Sequence, residues 1–244
     1  MGREGARTEV LSEDFAERRA RARERLDAVD PHKRPGGIEA DPKRQEWFEA
    51  VYALAEGDPA GVPWAHLEPR PMLEDWLQSH SLAGLRALDV GCGLGDNAEA
   101  LARAGARVVA FDLVERAVQW ARERFLHSAV DYRVADLFDA PQEWRGAFDF
   151  VHELYTLQAL PEALLPGAAR ALASFVAPGG TLLVISRARD DGEDLGGPPW
   201  PLAKKDIEGL AVDGLRLVSL EDIPASGDLA RHWRAEFRRD EAGA

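Results

Sequence analysis

Glycines and acidic residues are concentrated in one short stretch of the chain, "LDVGCGLGDN". Gly91, Gly93 and Gly95 alternate with larger residues, and Asp89 stands two positions before the first of them. Glycine permits positive φ and lets a backbone approach a ligand closely, so this spacing predicts a turn that holds a nucleotide-like group. A second acid, Asp112, ends the next apolar run, and an acid at that place can accept both hydroxyls of a ribose.

Two ligands fit such a turn: a dinucleotide such as NAD, or S-adenosylmethionine. The dinucleotide fingerprint G-x-G-x-x-G requires a small residue at its sixth position, where this chain has Asp96. A carboxylate there would repel a pyrophosphate, whereas Asp89 and Asp96 would attract a ligand with a positively charged amino group. The spacing therefore favours S-adenosylmethionine over NAD. A glycine-rich turn without any ligand is the structural alternative.

The elements that must position these residues are strands and helices in alternation. Helical patterns separate five apolar runs and predict βαβ units, with a mostly parallel sheet and helices on both faces. Two later runs alternate at period two and predict a hairpin that ends in an antiparallel strand. The predicted fold is therefore a Rossmann-like α/β fold with a seven-stranded sheet. The predicted strands are "LRALDV", "ARVVAFD", "VDYRVADLF", "FDFVHELY", "GGTLLVISRAR", "LRLVSLEDI" and "ARHWRAEFRRD".

The chain is predicted to divide near residue 80. Residues 1–80 form a helical extension and lid segment, and residues 81–244 form the cofactor-binding domain. The extension carries Trp47, Trp64 and Trp76, a density too high for a spacer. Trp64 is the candidate lid residue because it lies in the proline-rich loop "DPAGVPWAHLEP". The alternative is that all three tryptophans only dock the extension on the sheet.

Five segments resemble, in order and spacing, the motifs of class I S-adenosylmethionine-dependent methyltransferases. They are "ALDVGCGLGDNAEAL", "VVAFDLVERAVQWAR", "VADLF", "FDFVHELYTLQALP" and "VAPGGTLLVI", within residues 86–186. The resemblance implies that the glycine turn lies under the methionine moiety and that Asp112 binds the ribose. It also implies that the Asp136–Leu137 step borders the adenine and that His152 faces the methionine end. The cofactor-binding residues predicted in this way are Asp89, Gly91, Cys92, Gly93, Asp112, Leu113, Asp136, Leu137 and His152.

The methyl acceptor is expected beyond the fourth predicted strand, where His152, Glu153 and Tyr155 follow one another. Methyl transfer from a sulfonium is an in-line displacement that needs alignment, and it needs a base only when the acceptor is protonated. His152 is a candidate general base or a wall of the cofactor pocket, and Glu153 orients the acceptor or pairs with an arginine. Trp64, Tyr155 and Trp200 are candidate substrate-binding residues, with core packing as the alternative for Tyr155.

A narrower resemblance concerns the acceptor. "GPPWPLAKKDIEGL", with the upstream "DPAGVPW", is similar to segments of the bacterial thiopurine and thiol methyltransferase group. This resemblance implies a thiol, halide or metalloid acceptor, which needs no base. The chain departs from that group at Val90, where a proline usually precedes Gly-Cys-Gly.

Composition excludes several classes of function. A formal net charge of −13 argues against a nucleic-acid-binding surface. The single cysteine, Cys92, allows no intrachain disulfide and is expected to be a small buried thiol. The six histidines show no metal-ligand spacing, so we expect no metal site. Without a long apolar run or a signal peptide, we expect a cytoplasmic protein with no membrane contact.

These observations predict an enzyme that transfers a methyl group from S-adenosylmethionine to a small molecule. One alternative is a non-catalytic protein of the same fold that only holds the cofactor. Another is a nucleic-acid methyltransferase, although the chain has "HELYTL" where those acting on exocyclic amines commonly carry Asn/Asp-Pro-Pro-aromatic. An NAD-dependent oxidoreductase is the least favoured. The oligomeric state stays open.

Overall fold

A seven-stranded sheet forms the centre of the protein in this computed structural model, which describes residues 13–31, 36, 41–193, 198–227 and 229–241. The strand order is β3-β2-β1-β4-β5-β7-β6. Strands β1 to β5 are mutually parallel, and β7 runs antiparallel to both β5 and β6. The strands are β1 Arg86–Val90, β2 Arg107–Asp112, β3 Asp131–Val134, β4 Phe148–Leu154, β5 Val176–Arg187, β6 Leu215–Ile223 and β7 His232–Arg239. The predicted sheet, with its C-terminal antiparallel strand, is confirmed.

Helices cover both faces of the sheet, as predicted. They are α1 Glu13–Val29, α2 Gln45–Ala55, α3 Pro71–Leu77, α4 Asp96–Arg103, α5 Glu115–Arg124, α6 Leu165–Phe175 and α7 Lys204–Glu208. Short 3₁₀ turns occupy Pro59–Gly61, Leu137–Asp139, Gln142–Trp144, Leu157–Ala159 and Glu162–Leu164. Neighbouring strand residues point to opposite faces. Leu88 accordingly packs in the core with α6, whereas Ala87 packs in the core with α3, α4 and α5.

The N-terminal extension consists of two parts with different packing. Helix α3 belongs to the sheet core, because the Trp76 ring stacks on Phe150 at 5.0 Å and its Nε1 donates to Glu236. Helices α1 and α2 pack on each other through Leu26 and Trp47, and Ala55 of α2 packs in one cluster with Ala117 of α5. Trp76 therefore has the docking role that was the alternative to a lid. The division at residue 80 stays a prediction, and residues 1–12 of the predicted extension lie outside the described residues.

Two features are absent from the part of the chain that the structure describes. None of its helices has both the length and the apolar character needed to cross a membrane. None of its clusters of His, Cys, Asp and Glu could hold a metal ion.

Candidate functional site

A cavity of about 600 Å³ lies above the carboxyl ends of the central strands, between the sheet and the N-terminal helices. In an open α/β sheet, ligands bind at this edge, where the strand order reverses. The order reverses here between β1 and β4, and the glycine turn follows β1 directly. A volume of this size is typical of a site for small molecules.

The glycine turn forms part of the floor of the cavity. Gly91 has a φ of 65°, and a side chain there would overlap the Thr156 hydroxyl in the loop after β4. Gly93 has a φ of 53°, and a Cβ there would point to the roof, 3.5 Å from the Tyr52 hydroxyl and 3.8 Å from Trp64 Nε1. Gly91 thus lets two loops pack closely, whereas Gly93 keeps the space between floor and roof open.

Asp112 lies beside this turn at the end of β2 and lines the cavity together with Leu113. Its Oδ2 accepts a hydrogen bond from the Gly93 N–H and its Oδ1 accepts one from the Val114 N–H, both at 3.0 Å. Burial raises the pKa of Asp112 to about 6, and the two N–H groups oppose that rise. Each carboxylate oxygen has a further lone pair that a ligand hydroxyl can use.

Asp136 and Leu137 line the end of the cavity that borders β3. One oxygen of Asp136 caps the 3₁₀ turn by accepting from the Phe138 N–H at 2.8 Å. The other accepts from Lys43 Nζ at 2.6 Å, so the segment before α2 is tied to the sheet domain here. This ion pair closes the cavity at the predicted adenine end.

Three predicted site residues lie beneath the cavity rather than in its wall. Asp89, His152 and Glu153 are 2%, 0% and 0% exposed, and none of them lines the cavity in the described structure. His152 Nδ1 lies 2.6 Å from Asp89 Oδ1. Glu153 Oε1 accepts from the backbone N–H groups of Thr156 and Leu157, and burial raises the pKa of Glu153 to about 7. The first contact joins β1 to β4, and the second holds the loop after β4. Because both side chains are buried away from the cavity lining, the structure does not bring His152 and Glu153 to an acceptor.

The structure changes the electrostatic argument about Asp96. Its carboxylate forms two hydrogen bonds with the Arg124 guanidinium, at 2.7 and 2.8 Å, and both side chains are largely buried. The ion pair neutralises the charge that was expected to repel a pyrophosphate and attract an amino group. Asp96 therefore discriminates between cofactors less than its sequence position predicts, because α5 supplies a counter-ion.

Aromatic side chains from the extension form the roof. Trp64 packs edge-on against Phe48 and Tyr52, with centroids 5.6 and 5.8 Å apart, and its Nε1 donates to the Tyr52 hydroxyl at 3.1 Å. All three line the cavity opposite Gly93. Cys92 lines it from the floor, where burial raises the pKa of its thiol.

The far end of the cavity is lined by Arg70, Tyr155, Arg187 and His232. The Tyr155 hydroxyl lies 2.9 Å from Arg70 Nη2 and 2.6 Å from His232 Nε2. Trp200, a predicted substrate-binding residue, does not line the cavity. Among the described residues of its loop, Pro198 and Pro199 line the cavity instead. The Trp200 ring instead faces the Arg44 guanidinium at 5.6 Å.

Sequence reasoning missed Arg70, Arg187, His232 and Lys43. Each stands in a different segment of the chain, and none belongs to a motif with fixed spacing. The one available signal is local: Arg70 lies in "EPRP", directly after the proposed lid loop. His232 opens the last strand and is 77 positions from Tyr155, so only the insertion of β7 beside β5 brings the two together.

Comparison with known proteins identifies the central segment. Residues 87–180 match the methyltransferase domain family. A ubiquinone biosynthesis O-methyltransferase from Xanthomonas campestris pv. campestris is 45% identical over 111 residues, which are 45% of this chain and 46% of that protein. The chain thus matches about half the length of this curated relative.

Solved structures share the fold over a longer part of the chain. The N-methyltransferase NodS from Bradyrhizobium japonicum, in complex with S-adenosyl-L-homocysteine, has a TM-score of 0.64 at 23% identity and covers 82% of this chain and all of its own. The [4+2]-cyclase SpnF has a TM-score of 0.66 at 19% identity and covers 82% of this chain and 97% of its own. At such identities the likeness shows the fold alone.

Proposed function

We propose that this chain, which carries a methyltransferase domain over residues 87–180, transfers a methyl group from S-adenosylmethionine to a small-molecule acceptor. The observation that carries the proposal is the position of Asp112. Its carboxylate lies in a roofed cavity at the strand ends, bonded to the N–H of the glycine turn. An acid in this place accepts ribose hydroxyls in nucleoside-binding α/β folds.

The residues present fit the cofactor from end to end. Gly93 leaves the turn open beneath the roof, Asp112 offers carboxylate lone pairs, and Asp136 with Leu137 lines the end assigned to adenine. When bound, S-adenosylmethionine supplies a methyl group on a positively charged sulfur. The chain itself aligns the acceptor and excludes water, and alignment alone contributes up to about 7–11 kcal/mol to such a step.

His152, Glu153 and Asp89 act in this proposal as positioning residues. The pair of Asp89 and His152 joins β1 to β4 directly under the turn, and Glu153 binds two backbone N–H groups of the loop that carries Tyr155. Because these three side chains are buried, they determine where the floor of the site lies.

A small acceptor is favoured by the cavity volume of about 600 Å³ and by the net charge of −13, which opposes phosphate contacts. The relative is named an O-methyltransferase, which supports an acceptor oxygen. A thiol acceptor is the second candidate. The observation that favours it is that Pro198 and Pro199, in the segment similar to thiol methyltransferases, line the cavity.

A cofactor-binding protein without methyltransferase activity is the rival within the same fold. The likeness to a [4+2]-cyclase shows that this fold accommodates chemistry other than methylation. Against the rival, the cavity has space and polar groups beyond the predicted methionine end, at Tyr155 and Arg70.

Calorimetry and product analysis test the proposal together. We expect binding of S-adenosylmethionine and S-adenosylhomocysteine, no binding of NAD, and formation of S-adenosylhomocysteine with a panel of small acceptors. Asp112→Ala is expected to weaken binding of S-adenosylhomocysteine by roughly 2–4 kcal/mol, because ribose hydroxyls lose a charged acceptor in a buried site.

Asp139→Ala is the matched control, because Asp139 is an exposed acid near the same edge of the sheet. Its affinity for S-adenosylhomocysteine should equal that of the wild type. Unchanged affinity in Asp112→Ala would place the ribose elsewhere, and affinity for NAD alone would reject the assignment.

A further inference from the structure

A row of hydrogen bonds crosses the far end of the cavity, and its direction follows from the atoms involved. His232 Nδ1 lies 2.6 Å from the Ala230 carbonyl oxygen, which can only accept, so Nδ1 carries a proton. In the neutral ring Nε2 is then an acceptor, and the Tyr155 hydroxyl donates to it at 2.6 Å. Arg70 Nη2 donates to the Tyr155 oxygen at 2.9 Å. The second lone pair of that oxygen is left for a group in the cavity.

Burial keeps both partners of this row neutral, whereas the nearby arginines favour the neutral form of His232 and oppose that of Tyr155. Burial lowers the pKa of His232 to about 4, the hydrogen bond to Ala230 opposes this change, and Arg70 and Arg187 add to it. Burial also raises the pKa of Tyr155 above its ordinary value. At neutral pH the pair therefore consists of an uncharged phenol and an uncharged imidazole that can take up a proton.

Two arginines lining this end have no carboxylate partner among the residues that the structure describes. Neither Arg70 nor Arg187 forms an ion pair there, and Arg70 Nε is buried without a hydrogen-bond partner. Their positive field also lowers the pKa of nearby His66, for which burial is the largest cause. Positive charge held in place without a counter-ion stabilises an oxygen that becomes negative during a reaction.

The backbone of Tyr155 is held in an unfavourable conformation. Its φ of 72° is uncommon for a residue with a bulky side chain, and its N–H is bonded to the Ile185 carbonyl. Strain of this kind persists only where the surrounding structure imposes it, and it is concentrated at functional sites.

We propose that the methyl acceptor is a hydroxyl compound and that Tyr155 and His232 together take its proton. This inference rests on the proposed methyltransferase function. As the acceptor O–H bond breaks, its proton passes to the Tyr155 oxygen and the Tyr155 proton passes to His232 Nε2. The electron pair left on the acceptor oxygen forms the bond to the methyl carbon, while the pair of the C–S bond stays on sulfur. His232 gains the positive charge that sulfur loses, and bulk water later removes the proton.

The roles of the two arginines follow from the same geometry. Arg70 orients the Tyr155 hydroxyl, so it is a positioning residue for the pair. Arg70 and Arg187 both favour the ionised form of the acceptor oxygen in the cavity. A thiol with a pKa of about 8.5 is already partly ionised at pH 7.5, so it would depend on the tyrosine and histidine much less than a phenol does.

The kinetic test compares phenols with thiols. Phenol, catechol, benzenethiol and 2-mercaptoethanol are offered to the wild type, Tyr155→Phe and His232→Gln at pH 7.5. We expect phenol or catechol turnover in the wild type and a loss of roughly 100-fold or more in kcat in each variant. Affinity for S-adenosylhomocysteine should stay within about twofold. Controls are Tyr132→Phe, which removes a buried hydroxyl bonded to Glu99, and His127→Gln, which removes an exposed imidazole.

A second measurement needs no turnover. Nitrogen-15 spectra of the His232 imidazole should show Nδ1 protonated and Nε2 unprotonated at neutral pH, and the Nε2 signal should shift in Tyr155→Phe. An imidazole ring protonated at Nε2 would contradict the proposed hydrogen bond from Tyr155 to His232. The proposal would also be overturned by unchanged phenol turnover in either variant, or by binding of S-adenosylhomocysteine without turnover of any phenol. Failure to bind S-adenosylhomocysteine contradicts the proposed function instead, and the spectra then decide about the pair alone.

Discussion

The two ends of the cavity are constructed in different ways. The end that we assign to the cofactor is a single strand–helix turn together with the end of the neighbouring strand, where Asp112 accepts from the backbone N–H groups of Gly93 and Val114. The end that we assign to the acceptor consists of side chains at positions 70, 155, 187 and 232, from four separate segments of the chain. A backbone turn demands glycine at set positions, whereas dispersed side chains can be exchanged one at a time. The comparison shows why one end can be recognised in the sequence and the other cannot.

The largest effect is expected from Gly93→Val, which tests whether the turn itself binds the cofactor. The new side chain would project into the space beneath Tyr52 and Trp64 and fill it. We expect S-adenosylhomocysteine binding to fall by at least about 100-fold, which corresponds to ~2.7 kcal/mol, in calorimetry.

Gly146→Val is the control for backbone strain. Gly146 has a φ of 61°, close to that of Gly93, but a Cβ there would meet open space and lies away from the cavity. Both variants should lose stability, and only Gly93→Val should lose binding. A folded Gly93→Val protein with wild-type affinity would show that the cofactor does not bind at this turn.

Trp64→Leu tests whether the roof serves the site or only the core. Trp64 is half-buried and faces the turn, so its loss should weaken S-adenosylhomocysteine binding or lower kcat by about tenfold, equivalent to ~1.4 kcal/mol. Trp144→Leu is the matched variant, because Trp144 is buried against Phe111 and Phe148 and does not itself line the cavity.

Opposite effects are expected from these two tryptophan variants. Trp144→Leu should lower the melting temperature more than Trp64→Leu and leave affinity unchanged. If Trp64→Leu lost stability but kept both affinity and turnover, Trp64 would be a packing residue and the lid would be rejected.

The smallest effect on binding is expected for Glu153, which we place beneath the site and which should change the pH dependence of stability instead. Its pKa is raised to about 7 in the folded protein from an ordinary value of 4.5, so the folded state holds the proton more tightly. This stabilisation is complete below about pH 4.5 and is lost as pH rises through 7. Glu153→Gln removes that dependence. Relative to the wild type, the variant should gain roughly 1–3 kcal/mol of unfolding free energy between pH 5 and pH 8.

Urea unfolding at the two pH values measures this difference. Subtracting the wild-type curve cancels the contributions of Asp112, whose pKa is also raised, and of His66 and His232, whose pKa values are lowered. A difference between variant and wild type that does not change with pH would show that Glu153 is already ionised at pH 5. If Glu153→Gln lost turnover but kept the stability of the wild type, Glu153 would have a direct role in the reaction.

The sequence by itself determined the layout of the sheet and predicted where a cofactor would bind. Buried parallel strands are near-continuous apolar runs, and β1, β4 and β5 are recognisable for that reason. The turn after β1 needs positive φ at Gly91 and Gly93. Because this requirement depends only on the residues of the turn itself, the glycines reveal the turn in the sequence. The position of Asp112 could be predicted in the same way, because it is the last residue of the next strand.

Only the tertiary structure decided which polar residues line the cavity. Adjacent strand residues face opposite ways, but burial depends on what packs above them. His152 and Glu153 thus lie under the turn, while Tyr155, two positions further, reaches the cavity. The pairing of Asp96 with Arg124 spans 28 positions, and that of Tyr155 with His232 spans 77. Contacts over such separations arise from the order in which strands enter the sheet, and no local pattern of residues records that order.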